Sequence, residues 1–297
     1  MANRLVREKP VGTAGAIIVL ILFLVGILAN LLAPYGMNVI NADVRLLPPS
    51  GTYLLGTDNL GRDMLSRVIY GARISMIVGL AASAIAVTIS SFLGIICGFF
   101  GGKVDMVIQR FVDAWMCFPG LVILLTVLSI TGPGMVQVIF VLGVVTGITG
   151  SRVVRSAVIG IRQNVYVEAA KAIGSPSWRI LVRHILPNIM APIIIIFTVD
   201  VGAAILAESS LSFLGFGIPP PAPSWGGMLS GPGRSFMLQA PWMVLWPGLA
   251  LSLVVYGVNM LGDALRDLLD PRLRGGLGRY SVAMAKRRKA LQASNKQ

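Results

Sequence analysis

The sequence predicts an all-α integral membrane protein with six transmembrane helices. Hydrophobic residues make up 55% of its 297 residues, and only 12% are charged. The mean hydropathy is +0.80, and the charged fraction is about half of what a soluble domain carries. Six apolar stretches are long enough to cross a bilayer. They are residues 13–33, 74–100, 107–130, 135–151, 189–209 and 242–263.

The first apolar stretch follows three cations, Arg4, Arg7 and Lys9, as the apolar region of a secretory signal peptide does. It is as long as a bilayer is thick, which exceeds the apolar region of a cleavable signal. We therefore expect it to be retained as a signal anchor, peripheral to a core of five spans. The predicted units are an N-terminal segment (residues 1–72), a core (residues 73–263) and a basic cytoplasmic tail (residues 264–297).

The Lys and Arg residues between the spans predict the orientation of the chain. With the N-terminus in the cytoplasm, only five of the 25 Lys and Arg residues lie outside, and cytoplasmic loops are enriched in these residues. The five are Arg45, Arg62, Arg67, Arg73 and Arg234. Both termini are therefore expected in the cytoplasm. The net charge of +13 is then a topology signal rather than a sign of nucleic-acid binding.

Two polar segments are expected on the outer side of the membrane. The first, residues 34–73, holds two turn clusters and then a short amphipathic stretch. These are Gly56-Thr57-Asp58, Gly61-Arg62-Asp63 and Met64 to Tyr70. The second, residues 210–241, contains three consecutive prolines and Trp225, so it is expected to be stiff and aromatic.

A polar island, Tyr166 to Asn188, separates the fourth and fifth apolar stretches. Its first part is built from strong helix formers, and Gly174 can adopt the left-handed conformation that ends a helix. Ser175 is then the expected N-cap of a second helix, and Pro176 suits the first turn of that helix. Pro187 marks the start of the next segment. The island is therefore expected to fold as a helix-turn-helix.

This island resembles the coupling loop of permease subunits of binding-protein-dependent ABC importers. It contains an E-A-A run from Glu168, a glycine after three further residues, and H-I-L-P after nine more residues. The broader family pattern has Ile where this chain has His184, and the R-H-I-L-P-N form is similar to the branch that imports dipeptides, oligopeptides and nickel. Two other stretches agree with that branch. They run from Leu54 to Ser75 and from Ala207 to Leu229, and the resemblance spans residues 10–272.

The resemblance implies the type I ABC importer permease fold, with the EAA loop (residues 152–188) seated in a groove of a cytoplasmic ATPase. The residues that match the coupling loop are Glu168, Ala169, Ala170, Gly174, Ser175, Leu186 and Pro187. Small side chains permit close approach, Glu168 offers a charge to a basic partner, and Gly174 sets the angle between the helices. A DNA-reading helix-turn-helix and a plain connecting loop are the alternatives. A loop tethered to spans at both ends could hardly grip a duplex.

The chain carries no ATP-binding motif of its own. A Walker A loop needs G-x-x-x-x-G-K-[ST], and the nearest approach, residues 97–104, lacks the first glycine and the final hydroxyl. We therefore expect no cofactor and no enzymatic activity on this chain, and ATP with Mg²⁺ on partner subunits. The resemblance implies a second related permease, two cytoplasmic ATPase subunits and an extracytoplasmic substrate-binding protein. It places the assembly in the lipid bilayer of a prokaryotic inner membrane.

Three acidic residues are candidates for the translocation path or its gates. Asp200 falls near the middle of the fifth apolar stretch, where an unpaired charge is costly and must face a cavity or a partner. Glu208 is at the outer end of that stretch and matches the acidic residue of the branch's A-E-x-S-L-S-F-L-G motif. Asp113 follows Arg110 by three residues, so a structural ion pair is the alternative to a path role.

Four residues of the outer segments are candidates for contact with the binding protein, the alternative being that they shape well-turned connectors. They are Asp58, Arg62, Asp63 and Trp225. Glycines at four-residue spacing are expected where membrane helices pack closely, either within this subunit or against a second permease. They are Gly94-Gly98-Gly102 and Gly143-Gly147. Cys97 and Cys117 are isolated, so both are expected to be packing residues.

Two alternatives for the function stay open. The same machinery would also serve nickel or another small solute, although no His or Met cluster in the spans favours nickel. A secondary transporter driven by an ion gradient would use Asp200 and Glu208 as proton sites. That class predicts inverted repeats and broken helices at mid-membrane, and the sequence shows neither.

Overall fold

The computed structural model describes residues 9–269, and that range contains helices and no β-strand. The helices are α1 (Pro10–Ile27), α2 (Ala29–Leu32), α3 (Met64–Phe100), α4 (Gly102–Met116), α5 (Gly120–Thr131), α6 (Met135–Arg162), α7 (Val165–Ala172), α8 (Ser177–Ile180), α9 (Leu186–Phe213), α10 (Trp225–Leu229), α11 (Gly231–Ser235) and α12 (Trp242–Leu269). A 3₁₀ turn spans Ala42–Val44, and a π-helical turn, Leu181–Ile185, joins α8 to α9. The predictions for the tail beyond Leu269 and for Arg4 and Arg7 lie outside the described residues.

Five helices are long and apolar enough to cross a membrane, and a sixth span results if the bent pair α4 and α5 counts as one. The five are α1, α3, α6, the continuous helix Ser177–Phe213 and α12. The predicted all-α class is confirmed, but the third apolar stretch is not a straight helix. Residues 107–130 are divided between α4 and α5, which meet at 85°. Pro119 explains the break, because it restricts the residue before it and has no N–H to donate to a helix.

Helix α3 begins earlier than the sequence predicts. Asp63 caps it, since the amide and the hydroxyl of Ser66 donate to Asp63 Oδ2 at 2.8 and 2.7 Å. The stretch Met64 to Tyr70, expected as a separate amphipathic segment, instead forms the first turns of this helix. No proline follows before Phe100, so the capped helix continues without a break.

Glycines let α3 pack along α6. A Cβ built on Gly94 would lie 2.6 Å from Val154 Cβ, and one on Gly147 would lie 2.8 Å from the carbonyl oxygen of Ala86. Such distances exclude any side chain, so the glycine spacing serves packing within this subunit. Two more glycines, Gly98 and Gly143, are equally close to the facing helix. Gly102 is different, because nothing lies near it and it forms the turn into α4.

The first span packs against the last. A Cβ on Gly15 would lie 2.6 Å from a backbone carbonyl oxygen of α12. At one end of this pair, Lys9 and Asp267 form an ion pair. At the other end, Arg73 of α3 donates from Nε to the carbonyl oxygen of Gly26 at 2.9 Å, which satisfies a group left open where α1 ends.

The two cysteines lie in different surroundings. Cys97 is buried in α3, as expected of a packing residue. Cys117 is exposed at the break between α4 and α5, so the packing role predicted for it is wrong. Its exposure follows from the bend, which takes the residue out of the packed part of both helices.

Candidate functional site

The polar island folds as a helix-turn-helix, as the sequence predicts. Gly174 has a φ of +78°. Its amide donates to the carbonyl oxygen of Lys171 at 2.9 Å, and the amide of Ser175 donates to that of Ala170 at 3.1 Å. These are the two hydrogen bonds of a Schellman motif, which ends α7. Ser175 is not the N-cap of the next helix, because that helix begins at Ser177 and Pro176 occupies the cap position.

One face of the helix-turn-helix is buried against the membrane helices. Val167, Ile180 and Ile185 are almost inaccessible to solvent. They form one apolar cluster with Phe99 of α3 and Val158 of α6. The burial of these branched side chains fixes the motif to the ends of two spans, so a force on the motif is transmitted to the spans.

The opposite face is exposed and carries large apolar side chains beside charged ones. Val165 and Ile173 are 81% and 82% exposed, and Trp178 is 63% exposed. Large apolar side chains exposed in this way are candidates for a binding surface. We call the exposed residues Val165, Glu168, Ile173 and Trp178 the docking face. The sequence analysis did not identify its apolar members. They could have been found because they do not follow the helical periodicity of the buried apolar residues.

The predicted coupling residues divide between the two faces. Glu168, Ala169, Gly174, Leu186 and Pro187 are exposed, Ser175 is half-buried and Ala170 is buried. Ala170 packs in the apolar cluster under the motif, so its small side chain serves close packing inside this chain. The assignment of the others to contact with an ATPase stays a prediction.

The second helix of the motif continues into a span. In the π-helical turn the amide of Leu186 donates to the carbonyl oxygen of Leu181. Pro187 has no N–H, and its ring would clash with the carbonyl group four residues back in a regular α-helix, so a wider turn accommodates it. As a result, Ser177–Phe213 runs as one continuous helix from the docking face through the span.

Helix α9 lines a groove of about 540 Å³. Asp200 and Pro192 of α9 lie in it, between Gly150 of α6 on one side and Arg266 of α12 on the other. Asp200 is half-buried and Arg266 is exposed. Among residues 9–269, no ion pair or hydrogen bond engages either side chain. The groove therefore brings together a carboxylate and a guanidinium from different helices, and sequence reasoning named only the first.

Glu208 lies outside this groove and is fully buried. The hydroxyl of Ser212 donates to Glu208 Oε1 at 2.6 Å, and the hydroxyl of Ser209 donates to Oε2 at 3.4 Å. The Ser212 oxygen also accepts the amide of Ile218 at 3.1 Å. Glu208 thus anchors the turn that follows α9. Its role in a gate stays a prediction, and it would act there by holding this turn.

Asp113 lies on α4 and is not part of the groove. It pairs with Arg110 at 3.5 Å, as the sequence predicts, and also with Arg152 of α6. Asp105 of α4 pairs with Arg155 of α6. The two ion pairs between helices hold α4 along α6. Sequence reasoning missed them, because it considered partners only within one helical turn.

The four residues predicted to contact a binding protein mostly make contacts within this chain. Asp58 accepts the amides of Leu60 and Arg62 at 2.8 and 3.0 Å, and its carboxylate pairs with Arg62 Nε at 2.6 Å. Asp63 caps α3. Trp225 is buried, and its Nε1 donates to a backbone carbonyl of α3 at 3.1 Å. These side chains hold the two predicted outer segments in place from inside the fold. Contact of these segments with a binding protein stays a prediction.

Comparison with known proteins assigns the chain to a family. Residues 90–275 match the family described as binding-protein-dependent transport system inner membrane component. Residues 2–49 match the N-terminal transmembrane domain of oligopeptide transport permease C. The first match contains the docking face and the groove, and the second contains α1.

Curated relatives cover nearly the whole chain. A dipeptide transport system permease protein of Alkalihalophilus pseudofirmus is 40% identical over 273 residues, which are 92% of this chain and 90% of that protein. A glutathione transport system permease protein of Pectobacterium atrosepticum is 38% identical, with the same coverage. A probable D,D-dipeptide transport system permease protein of Escherichia coli is 36% identical over 91% of both chains.

These matches decide between the classes that the sequence left open. The family transports with a binding protein, which an ion-gradient secondary transporter does not need. The five or six apolar helices agree with its place in a membrane. The chain therefore belongs to the family of binding-protein-dependent transport system inner membrane components, as a multi-pass permease subunit of an ABC importer in which separate subunits hydrolyse ATP.

Proposed function

We propose that this permease imports di- and oligopeptides that an extracytoplasmic binding protein delivers. The relatives support the cargo, because two of them are described as dipeptide permeases and a third as a permease for glutathione, itself a tripeptide. No group of three or more His, Cys, Asp or Glu side chains in residues 9–269 is placed to hold a metal ion. Nickel therefore has no structural observation in its favour.

The docking face is the observation that carries this proposal. Its apolar side chains stand on a rigid base of buried residues, and Glu168 adds a charge for a basic partner. A cytoplasmic ATPase would seat this face in a groove, and a second ATPase would do the same for a second, related permease. This chain then forms half of the translocation path, with both termini in the cytoplasm.

The continuous helix Ser177–Phe213 supports a mechanical coupling. ATP binding closes the two ATPases and moves the docking faces with them. Since no loop interrupts the chain between Trp178 and the groove, this motion reaches Asp200 as a displacement of the helix. The translocation path between the two permeases would then open alternately to the binding protein and to the cytoplasm.

Recovery of the tagged chain from its native membrane tests the proposal. Glu168→Lys reverses the charge of the docking face, and Gly174→Pro cannot keep the φ of +78° that the turn requires. Wild type should bring down a second permease and ATPase subunits. Both variants should lose the ATPases, keep the second permease and lose ATP-driven peptide uptake.

The matched control is Asp43→Lys, the same change of charge at an exposed position in the outer segment. It should bring down the complete assembly. If the two docking-face variants retain their ATPases and take up peptide at the wild-type rate per ATP hydrolysed, the coupling role is refuted. Uptake of nickel, measured beside peptide uptake, compares the two cargoes directly.

A further inference from the structure

The groove along α9 carries two opposite charges that do not neutralise each other. Asp200 and Arg266 both line it, and no ion pair joins them. A charge in a membrane-spanning segment is costly unless a partner or water compensates it. The remaining lining is mainly aliphatic, including Ile195, Ile196 and Val199. A ligand for this groove needs one positive end, one negative end and no fixed polar pattern between them.

The spacing of the two charges follows from the packing of the helices that carry them. A Cβ on Gly262 of α12 would lie 3.6 Å from Val199 Cγ2 of α9, so these two positions are level. The helices are antiparallel. Arg266 therefore lies four residues from this level in one direction and Asp200 one residue in the other, which separates their backbone positions by about 7.5 Å along the axis. Two residues of extended peptide span at most about 7 Å.

We propose that Asp200 binds the terminal ammonium group and Arg266 the terminal carboxylate of a short zwitterionic peptide in transit. This inference rests on the proposed function, since it takes the cargo to be a peptide. The charged ends are common to all short peptides, while the aliphatic walls accept varied side chains. A site of about 540 Å³ is within the usual range for small ligands. The pair of charges thus recognises the ends of the cargo and leaves its sequence free.

Saturation-transfer NMR on the assembled importer tests the site directly. The complex of permeases and ATPases is placed in lipid nanodiscs without the binding protein, whose own selectivity would obscure the result. The probes are alanyl-alanine, its N-acetyl form and its C-terminal amide. The free dipeptide should give a signal up to about fivefold stronger than either blocked form, the upper end of what one solvent-accessible ion pair supplies.

Two variants should change this preference in different ways. Asp200→Asn should remove the advantage of a free ammonium group and keep that of a free carboxylate, and Arg266→Gln should do the reverse. Asp200→Glu keeps the carboxylate and should keep the wild-type pattern. Asp263→Asn is the matched control, because Asp263 is an exposed acid of α12 outside the groove.

A purely structural role would give another pattern. If wild type does not distinguish free from blocked dipeptide, or if either variant weakens all three probes alike, the inference is refuted. Uptake by the reconstituted importer with its binding protein separates this failure from that of the proposed function. Peptide uptake without the charge-specific pattern would refute the site alone, and the absence of peptide uptake by wild type would refute the peptide cargo.

Discussion

Replacing Gly94 by alanine tests the close packing of α3 on α6. The added Cβ would lie 2.7 Å from the carbonyl oxygen of Ser151 and 2.8 Å from the amide nitrogen of Arg155, two backbone atoms that cannot rotate away. Overpacking of this kind costs about 1–3 kcal/mol. Replacing a glycine inside a helix recovers about 0.5–1 kcal/mol. At Gly160 nothing lies within 4 Å of an added Cβ. Alanine there therefore gains helix stability without a cost of overpacking.

The difference between the two variants is therefore the cost of overpacking. Cys97 reports it, because this thiol lies three residues from Gly94 in α3 and is fully buried. In a Cys117→Ser background, a maleimide can reach Cys97 only when the helices separate. The expected cost makes labelling of Gly94→Ala about 5- to 150-fold faster than labelling of Gly160→Ala. Equal rates would show that the helices tolerate a side chain, and would refute the argument that glycine is required there.

Two further substitutions test contacts of different strength. Ser212→Ala removes the shorter of the two hydroxyl bonds to the buried Glu208 and the acceptor of the Ile218 amide, which should cost about 1–3 kcal/mol. Ser210→Ala is its control, since that hydroxyl bonds only a carbonyl of its own helix. Lys9→Gln removes the ion pair with Asp267, whose side chains are 41% and 40% exposed, so the loss should be below about 1 kcal/mol. Thermal unfolding in detergent measures all three changes, and a larger effect for Lys9→Gln than for Ser212→Ala would contradict the ranking.

The spans are predictable from the sequence because a bilayer imposes a length and a composition on each. The bend between α4 and α5 is not predicted in this way. The mean hydropathy of residues 107–130 combines a charged helix with an apolar one, so the stretch looks like a single span. Two features of the sequence indicate the bend. They are Pro119 and the charged residues of α4, including Asp105. The left-handed conformation of Gly174 is predictable because it depends on one residue and its neighbours. The cap predicted at Ser175 is wrong, because the second helix begins at Ser177 and Pro176 occupies the cap position.

The features of the candidate site that the sequence does not predict depend on contacts between segments that are distant in the chain. Trp225 reads as an exposed aromatic residue of an outer loop, but a glycine of α3 opens the space in which it is buried. Asp200 is recognisable as an unusual charge within a span. That Arg266 shares its groove depends on how α9 and α12 pack, and no local pattern encodes that packing.

The contact between α1 and α12 sets an order of events during synthesis. Lys9 and Asp267 are 258 residues apart, so a ribosome that adds about 5–20 residues per second separates their synthesis by about 13–50 seconds. The hydrogen bond from Arg73 to Gly26 spans only 47 residues and can form much earlier. During the interval α1 is held by α3 alone, and its glycine-lined face is open to lipid or to the insertion machinery. The first span to enter the membrane is thus among the last to reach its final neighbour.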